Sequence, residues 1–307
     1  MANIRNELEY INDMARSDPA QLVAGSEARY RNIVAGIAQR AVETHGHKLV
    51  LLAGPSASGK TTTAHKLAEA LRVKGLQAHR ISLDDFYHES GNIPLLPDGT
   101  PDIESVYALD LPLLRATLRE LMETGRGAIP HFKFSQGRRS RWDTLEMGRD
   151  DMLVLEGLHA INPEISEGLG EKSTKVYVSV SSRVYDEKQG IVLNKRNLRL
   201  VRRVLRDSQF RGAGAAETIM MWPSVTAGEE LYLTPCKPLA DVLINSIHIY
   251  EPCVFAGRVL PLLEAIPAES PAAKEARRIA KALRRFTPLS EGVVPPDSLL
   301  REFLGNS

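Results

Sequence analysis

Short apolar runs alternate with longer amphipathic stretches along this chain of 307 residues. Apolar runs of roughly four to eight residues, bounded by glycine or polar residues, predict buried strands. Stretches in which apolar residues recur every three or four positions predict helices. The predicted strands lie within HKLVLLAG, LQAHRISL, DMLVLEGLHAI, KVYVSVSS and DVLINSI, and the predicted helices include ALDLPLLRATLRELMETG, RNLRLVRRVLRDSQF and SPAAKEARRIAKALRRF.

The first two predicted strands are separated by a helical pattern that ends near Gly75. A strand, a helix and a second strand at this spacing form a βαβ unit, which requires a parallel sheet. Residues 1–45 are predicted to be helical and polar, and Ser17-Asp18-Pro19 predicts a break and the start of a new helix. Residues 91–103 are rich in Gly, Pro and Asp and predict a long loop, a type of segment that is usually functional.

The composition excludes several classes of protein. The net charge is +1, so no overall field attracts nucleic acid or an anionic membrane. Cys236 and Cys253 form neither a disulfide framework nor a metal-ligand spacing. No apolar run reaches the roughly 18 residues of a membrane span, and MANIRNELEY has no apolar signal core. We therefore expect a cytoplasmic protein that binds neither nucleic acid nor membrane.

The segment GPSASGKT, residues 54–61, matches the phosphate-loop pattern G-x-x-x-x-G-K-[ST] and lies between a predicted strand and a predicted helix. Gly54 and Gly59 should let successive backbone N–H groups turn toward phosphate oxygens. Lys60 should reach the β- and γ-phosphates of ATP, and the Thr61 hydroxyl should bind Mg²⁺. The predicted nucleotide-binding residues are Gly54, Pro55, Ser56, Ala57, Ser58, Gly59, Lys60, Thr61 and Thr62.

A phosphate loop alone does not distinguish a kinase from a GTPase or a transport ATPase. The nearest match to the guanine motif N-K-x-D is Asn194-Lys195-Arg196-Asn197, which lacks the aspartate. No segment resembles the L-S-G-G-Q signature of transport ATPases. A kinase needs a carboxylate on the acceptor side and a mobile arginine segment, and the chain has candidates for both.

The acceptor-side candidates are Asp84 and Asp85, which follow a strand that we expect to neighbour the phosphate-loop strand. A carboxylate there can orient the acceptor hydroxyl, take its proton and help to hold Mg²⁺. Only one of the two side chains can face the cleft, because side chains alternate along extended chain, and the pattern does not choose between them. Glu156 ends the apolar run MLVLEG and is expected close to the metal.

A predicted helix carries arginines at i, i+3, i+4 and i+7, so they share one face, while leucine and valine side chains occupy another. We expect the apolar face to pack down and the four guanidinium groups to be presented as a lid over the nucleotide. A solvated face and a site for an acidic partner are the alternatives. The arginines are Arg199, Arg202, Arg203 and Arg206, with Arg211 following in RGAGA.

Taken together, these segments resemble the uridine kinase/phosphoribulokinase family of P-loop kinases. The matching motifs follow the family's order from about residue 30 to the end of the chain. The chain is also similar to bacterial uridine-kinase-like proteins that often carry a domain related to threonyl-tRNA synthetase, for which residues 1–30 are too short. The motifs are GPSASGKTT, SLDDFY, PHFKF, VLEGLHA, RLVRRVLRD with RG, and ADVLINS.

The resemblance implies a P-loop NTPase fold, an α/β three-layer sandwich with a parallel central sheet and a helical lid over about 195–225. It implies an N-terminal helical extension over 1–45, a kinase domain over 46–265 and a C-terminal helical segment over 266–307 that packs on the kinase domain.

The resemblance also implies roles for single residues. Asp84 resembles the catalytic base, and Thr61, Asp84 and Glu156 resemble the Mg²⁺ environment. The transferring phosphoryl group would be stabilised by Lys60, Arg203, Arg206 and Arg211. The implied substrate contacts are Asp84, Tyr87, Ile103, Glu104, Phe132, Lys133, Arg138, Arg199 and Arg202.

The resemblance implies an ATP-dependent kinase of a small molecule, with the 5′-hydroxyl of uridine or cytidine as the first expectation for the acceptor. Four positions depart from the uridine kinase pattern. Ile103 replaces a phenylalanine that stacks on the base, and Glu104 lengthens an aspartate while keeping a carboxylate for ribose hydroxyls. Lys133 replaces an aspartate, and Gly137 falls where a histidine reads the base. A sugar or a sugar phosphate, bound by Lys133 and Arg138, is an alternative acceptor. A non-catalytic ATP-binding regulatory module is the other alternative, and a homo-oligomer is compatible with either function.

Overall fold

The computed structural model describes residues 5–44, 48–89, 91–167, 169 and 173–305. The predicted N-terminal extension, the segment before the first strand and the C-terminal segment reach into 1–4, 45–47 and 306–307, which lie outside the described residues. The strands are β1 (Leu49–Ala53), β2 (Ala78–Ser82), β3 (Arg126–Lys133), β4 (Arg138–Glu146), β5 (Met152–Glu156), β6 (Ser173–Ser179), β7 (Val184–Asp186), β8 (Gly190–Leu193) and β9 (Val242–Asn245).

The helices follow the predicted pattern of apolar faces and end signals. The side chain of Asp18 accepts a hydrogen bond from the Gln21 N–H at the start of the second helix, which confirms the predicted break. No helix among the described residues has the length and apolar character needed to cross a bilayer. The helices are α1 (Leu8–Ser17), α2 (Pro19–Glu43), α3 (Lys60–Val73), α4 (Leu111–Thr124), α5 (Pro163–Ser166), α6 (Lys195–Phe210), α7 (Ala215–Gly228), α8 (Glu251–Glu264), α9 (Ala273–Leu283) and α10 (Arg301–Leu304).

The centre of the fold is a five-stranded parallel sheet with the order β2-β5-β1-β6-β9. Its strands are buried on both faces, and alternate side chains of β1 enter two different hydrophobic cores. Val50 and Leu52 join the core that holds α2, α3, α6 and α8, whereas Leu49 and Leu51 join the core that holds α4. Helices therefore cover both faces, and the predicted α/β sandwich with a parallel central sheet is confirmed.

The prediction that β2 neighbours the phosphate-loop strand β1 is wrong. Strand β5 lies between them, with Leu49 opposite Leu153 on one side and Ala78 opposite Met152 on the other. All five residues of β5 are buried, as expected of a central strand, whereas β2 has partly exposed positions and lies at the edge. The order of strands along the chain does not define their order in the sheet. As a result, Glu156 at the end of β5 lies between the phosphate loop and Asp84.

A β-hairpin formed by β3 and β4 lies outside the central sheet and was not predicted. Gly137, with φ of +61°, lies at its tip, where a left-handed backbone favours glycine. The hairpin contacts the short turn Leu83–Phe86 that follows β2. It therefore brings a second group of side chains to the carboxyl end of the sheet.

Candidate active site

The phosphate loop between β1 and α3 turns through two left-handed residues, Ala57 at φ +57° and Gly59 at φ +89°. Such a backbone directs successive N–H groups into one concavity, which suits a phosphate. Gly54 has a different role from the predicted one, because a Cβ atom there would lie 2.1 Å from the carbonyl oxygen of Val178. Gly54 is needed for close packing against β6, while Ala57 and Gly59 adopt the left-handed backbone conformation.

The side chains of Lys60 and Thr61 make hydrogen bonds at the carboxyl end of the sheet. The Lys60 ammonium donates to the Pro55 carbonyl over 3.2 Å, and the Thr61 hydroxyl donates to a Glu156 carboxylate oxygen over 3.2 Å. The end of the phosphate loop and the end of β5 are thus in direct contact. The predicted association of Thr61 with Glu156 is present in the fold.

Glu156 is 5% exposed, and its burial, followed by the negative charge of Asp84, raises its pKa to about 7. Lys60 opposes this shift. A bound cation would relieve the repulsion between the two acids, and carboxylate and hydroxyl oxygens are the ligands that Mg²⁺ prefers. The residues Thr61, Asp84 and Glu156 therefore fit a magnesium ion. Among the described residues, no three His, Cys, Asp or Glu side chains form a metal cage, and Mg²⁺ usually completes its shell with water and substrate phosphates.

The two adjacent aspartates lie in different environments. An Asp85 carboxylate oxygen accepts a hydrogen bond from the Phe132 N–H over 3.1 Å and so attaches the hairpin to the sheet. The Asp84 side chain is exposed, and its backbone N–H is bound to the Ser82 hydroxyl. Of the pair, Asp84 is the one whose carboxylate is available to an acceptor.

Three aromatic rings, which we call the aromatic group, lie together beside the aspartates. Tyr87 is 6.0 Å from Phe132 and 5.4 Å from Phe134, measured between ring centroids. The Tyr87 hydroxyl donates to the carbonyl of Ile103 over 2.9 Å, which joins this group to the loop 91–105. Phe134 is 62% exposed and was missed in the sequence, where it appeared only as part of a motif.

Glu104, at the end of the same loop, belongs to the charged cluster at the phosphate loop. Its burial, followed by the negative charge of Glu229, raises its pKa to about 7, while Arg203 and Lys60 oppose the shift. Asp84 also contributes to the shift. Glu104 therefore lies within the electrostatic range of both Lys60 and Asp84.

The structure does not bring Lys133 and Arg138 together with the aromatic group. They are exposed and lie opposite each other in the β3–β4 register. Because side chains alternate along a strand, both lie on the face away from Phe132. Arg139 lies on the face of Phe132, where it donates to the Tyr87 carbonyl and forms an ion pair with Asp110 at 2.8 Å.

The prediction that α6 presents four open guanidinium groups is wrong. Arg199 is 6% exposed and binds both carboxylate oxygens of Glu229 at 2.8 Å. Arg202 is fully buried, forms an ion pair with Glu251 at 2.7 Å and donates to the backbone of the phosphate loop. Helical periodicity could not reveal this burial, because α7, α8 and α10 pack against α6 from distant parts of the sequence.

The other three arginines are gathered by one carboxylate, that of Asp207. Its ion pairs with Arg203, Arg206 and Arg211 measure 3.1, 2.8 and 3.7 Å. Arg203 also donates to the Ser56 hydroxyl over 2.8 Å, so it touches the phosphate loop directly. The Arg211 side chain is 56% exposed. These three remain the predicted residues for contact with the transferring group.

Two carboxylates that were not predicted accept hydrogen bonds from the phosphate loop and α3. Glu229 accepts from the Ser56 N–H over 2.7 Å. Glu302, in α10, accepts from the Thr62 N–H over 3.2 Å and from the Thr62 hydroxyl over 2.7 Å. Both come from segments far along the chain, and no local sequence pattern distinguishes them from the other acidic residues.

Comparisons with known proteins identify the family of this chain. The model of the Phosphoribulokinase / Uridine kinase family matches residues 49–251. The chain is 26% identical over 197 residues to a uridine kinase of Lactobacillus helveticus, covering 64% of this chain and 85% of that protein. It is 29% identical over 198 residues to a uridine kinase of Mycoplasma genitalium, covering 64% and 84%. A solved structure from Bacillus stearothermophilus, described as a possible uridine kinase, superposes with a TM-score of 0.47 and 19% identity over 70% of this chain and 98% of that one. Because the family model covers more than half of the chain, the chain belongs to the phosphoribulokinase/uridine kinase family, whose members are phosphotransferases that act on hydroxyl groups.

Proposed function

We propose that this protein transfers the γ-phosphate of ATP to the 5′-hydroxyl of a nucleoside, with uridine or cytidine as the first candidates. The observation that carries the proposal is the charged cluster at the carboxyl end of the sheet. Lys60 acts electrostatically on both Glu104 and Glu156, and Asp84 acts on the same two carboxyl groups. A nucleotide phosphate, an acceptor hydroxyl and a catalytic base can thus meet at the carboxyl end of the sheet.

In this proposal, Asp84 orients the acceptor hydroxyl and takes its proton as the oxygen attacks the γ-phosphorus in line. Lys60 and Arg203 stabilise the negative charge on the transferring group, helped by Arg206 and Arg211. Thr61 and Glu156, with Asp84, would hold Mg²⁺, which neutralises phosphate charge when it is bound.

Several observations support a nucleoside over a sugar phosphate as the acceptor. The aromatic group offers flat apolar surfaces on which a base can stack, a contact that Ile103 cannot make. In this proposal, the Glu104 carboxylate accepts hydrogen bonds from ribose hydroxyls. Lys133 and Arg138, the proposed ligands of a sugar phosphate, lie on the opposite face of the hairpin. Relatives from Lactobacillus helveticus and Mycoplasma genitalium are named uridine kinases.

A panel of nucleosides, sugars and sugar phosphates tests the acceptor by ADP release. We expect turnover with uridine or cytidine above the rate with water alone. Turnover of a sugar phosphate but of no nucleoside would refute the nucleoside assignment and leave the kinase assignment intact. No turnover with any compound, while ATP still binds, would favour the non-catalytic regulatory module.

The variant Asp84→Asn tests the catalytic base. We expect kcat to fall by about 10²–10⁴-fold, the usual contribution of general base catalysis, while the Kd for ATP stays near that of the wild type. Asp85→Asn is the matched control, because an asparagine there can still accept the hydrogen bond from Phe132. Unchanged turnover in Asp84→Asn would show that another group removes the proton.

A further inference from the structure

The loop 91–105, which we call the acceptor loop, is held at its end by Tyr87 and by two further side chains from elsewhere in the sequence. The Tyr232 hydroxyl donates to an Asp102 carboxylate oxygen over 2.5 Å. The His159 Nε2–H donates to the Glu104 carbonyl over 2.9 Å. Asp102 is 9% exposed and His159 is 2% exposed, whereas Tyr232 is half-buried. The rings of His159 and Tyr232 also meet edge to face, with centroids 6.4 Å apart.

His159 is suited to this contact because it stays neutral. Its burial lowers its pKa to about 4, so at pH 7 the ring carries one proton. The hydrogen bond to the Glu104 carbonyl places that proton on Nε2. The Nδ1 atom is buried and has no hydrogen-bond partner among the described residues. The single donor of the ring is therefore committed to the backbone of the acceptor loop.

Tyr232 belongs to a π-helical turn, Glu229–Leu233, that directly follows α7. Turns of this kind are rare and are often found at functional sites. Glu229, in the same turn, accepts from the Ser56 N–H of the phosphate loop. Gly228 lies just before the turn, and a Cβ atom there would be 2.5 Å from the Cβ of Glu104. One short segment thus contacts the acceptor loop and the phosphate loop at the same time.

These contacts matter because the Glu104 carboxyl lies in an unfavourable place. It is buried close to the negative charges of Glu229 and Asp84, and the cations Arg203 and Lys60 only partly compensate. A glutamate on a loose loop would relieve this repulsion by turning toward solvent. The backbone around Glu104 must therefore be fixed from outside if the carboxyl is to stay beside Asp84 and Lys60.

We infer that Tyr232 and His159 are positioning residues that fix the acceptor loop with Glu104 facing Asp84 and Lys60, and thereby set the affinity for the acceptor. This inference rests on the proposed nucleoside kinase function. Neither residue touches the reacting atoms in this arrangement, and each acts through the loop backbone or through Asp102. A loss of either contact should therefore affect acceptor binding and leave ATP binding unchanged.

The variant Tyr232→Phe removes one hydroxyl and keeps the ring beside His159. We expect the KM for uridine to rise about tenfold, the usual effect of losing a hydrogen bond to a charged group, with kcat and the KM for ATP unchanged. Tyr107→Phe is the matched control, because the Tyr107 hydroxyl lies on the exposed side and donates to Glu164 over 3.3 Å. His159→Leu should raise the KM for uridine as Tyr232→Phe does, while His159→Gln, whose amide can donate to the same carbonyl, should restore most of the affinity.

Hydrogen exchange provides a readout that does not depend on the acceptor. The amides of residues 102–105 should exchange faster in Tyr232→Phe than in the wild type, and no faster in Tyr107→Phe. Absence of turnover with every nucleoside in the wild type would refute the nucleoside assignment, while exchange would still decide whether Tyr232 fixes the loop. Unchanged exchange in Tyr232→Phe would overturn the inference, as would an equal rise in the KM values for uridine and ATP.

Discussion

Replacing Arg202 by methionine should lower the melting temperature and weaken ATP binding together. Arg202 is fully buried, and its guanidinium binds Glu251 while donating to the carbonyls of Ala57 and Ser58 in the phosphate loop at 3.3 and 3.4 Å. The variant leaves the buried Glu251 carboxyl without its cation and the loop carbonyls without their donor. The expected loss is therefore one of stability and of loop geometry.

The size of the loss follows from the burial of the pair. Removing one partner of a buried ion pair costs about 3–5 kcal/mol. The unfolding entropy is ~2.1 cal/mol/K per residue, so a chain of 307 residues should lose about 1.5 °C of Tm per kcal/mol. Arg202→Met should therefore melt about 5–8 °C below the wild type, as measured by circular dichroism.

A second variant separates stability from loop geometry. In Arg202→Met/Glu251→Leu both charges are gone, and most of the lost stability should return, because apolar side chains can replace a buried pair with little cost. ATP binding, measured with a fluorescent analogue, should stay weak because the carbonyls of Ala57 and Ser58 still lack their donor. Arg196→Met is the control: its side chain is 50% exposed, so the Tm should change by less than about 1 °C.

One result would refute this reasoning. If Arg202→Met has the same Tm as the wild type and only its rate of phosphoryl transfer falls, Arg202 contacts the substrate phosphates, as the helical periodicity predicts. A parallel loss of Tm and ATP affinity would instead identify Arg202 as a support of the phosphate loop.

Two further predictions concern carboxyl groups beside the nucleotide. Glu302→Gln should tighten ATP binding about two- to twentyfold, because it removes a negative charge from the first turn of α3, where Thr62 is expected to meet a phosphate. Asp297→Asn, which alters an exposed pair with Lys66 in the same segment, should not tighten it, and weaker binding in Glu302→Gln would mean that the carboxylate supports the loop. The pKa of Glu156 is raised to about 7, so affinity for Mg²⁺ should rise about tenfold per pH unit up to pH 7 and then level off. Without Mg²⁺, the Glu156 carboxylate binds a proton more tightly in the folded protein than in the unfolded chain. The free energy of unfolding should therefore fall as the pH rises from about 4.5 to 7. Melting curves from pH 5 to 8.5 with and without Mg²⁺ measure both effects, and a Glu156→Gln variant that keeps the same pH dependence would contradict the assignment.

Features encoded in a continuous stretch of chain could be predicted from the sequence alone. The phosphate loop is one such feature, because its glycines, lysine and threonine act within eight consecutive residues, 54–61. The helix break at Asp18 and the end of α3 near Gly75, which has φ of +85°, are others. In each case the controlling physics is local backbone geometry, capping or periodic burial.

Other features depended on which distant segments meet, and only the tertiary structure decided them. Strand β5 separates β2 from β1 because β5 is buried along its whole length, whereas β2 has partly exposed positions and takes the edge, a choice made by burial and not by chain order. Helical periodicity correctly placed the arginines on one face of α6, but the carboxylates that occupy Arg199 and Arg202 come from Glu229 and Glu251. The contact of Tyr232 with the acceptor loop likewise joins residues 130 positions apart. A charge or hydroxyl carries no sign of its partner in the sequence, because the free energy of the contact depends on a burial that exists only after folding.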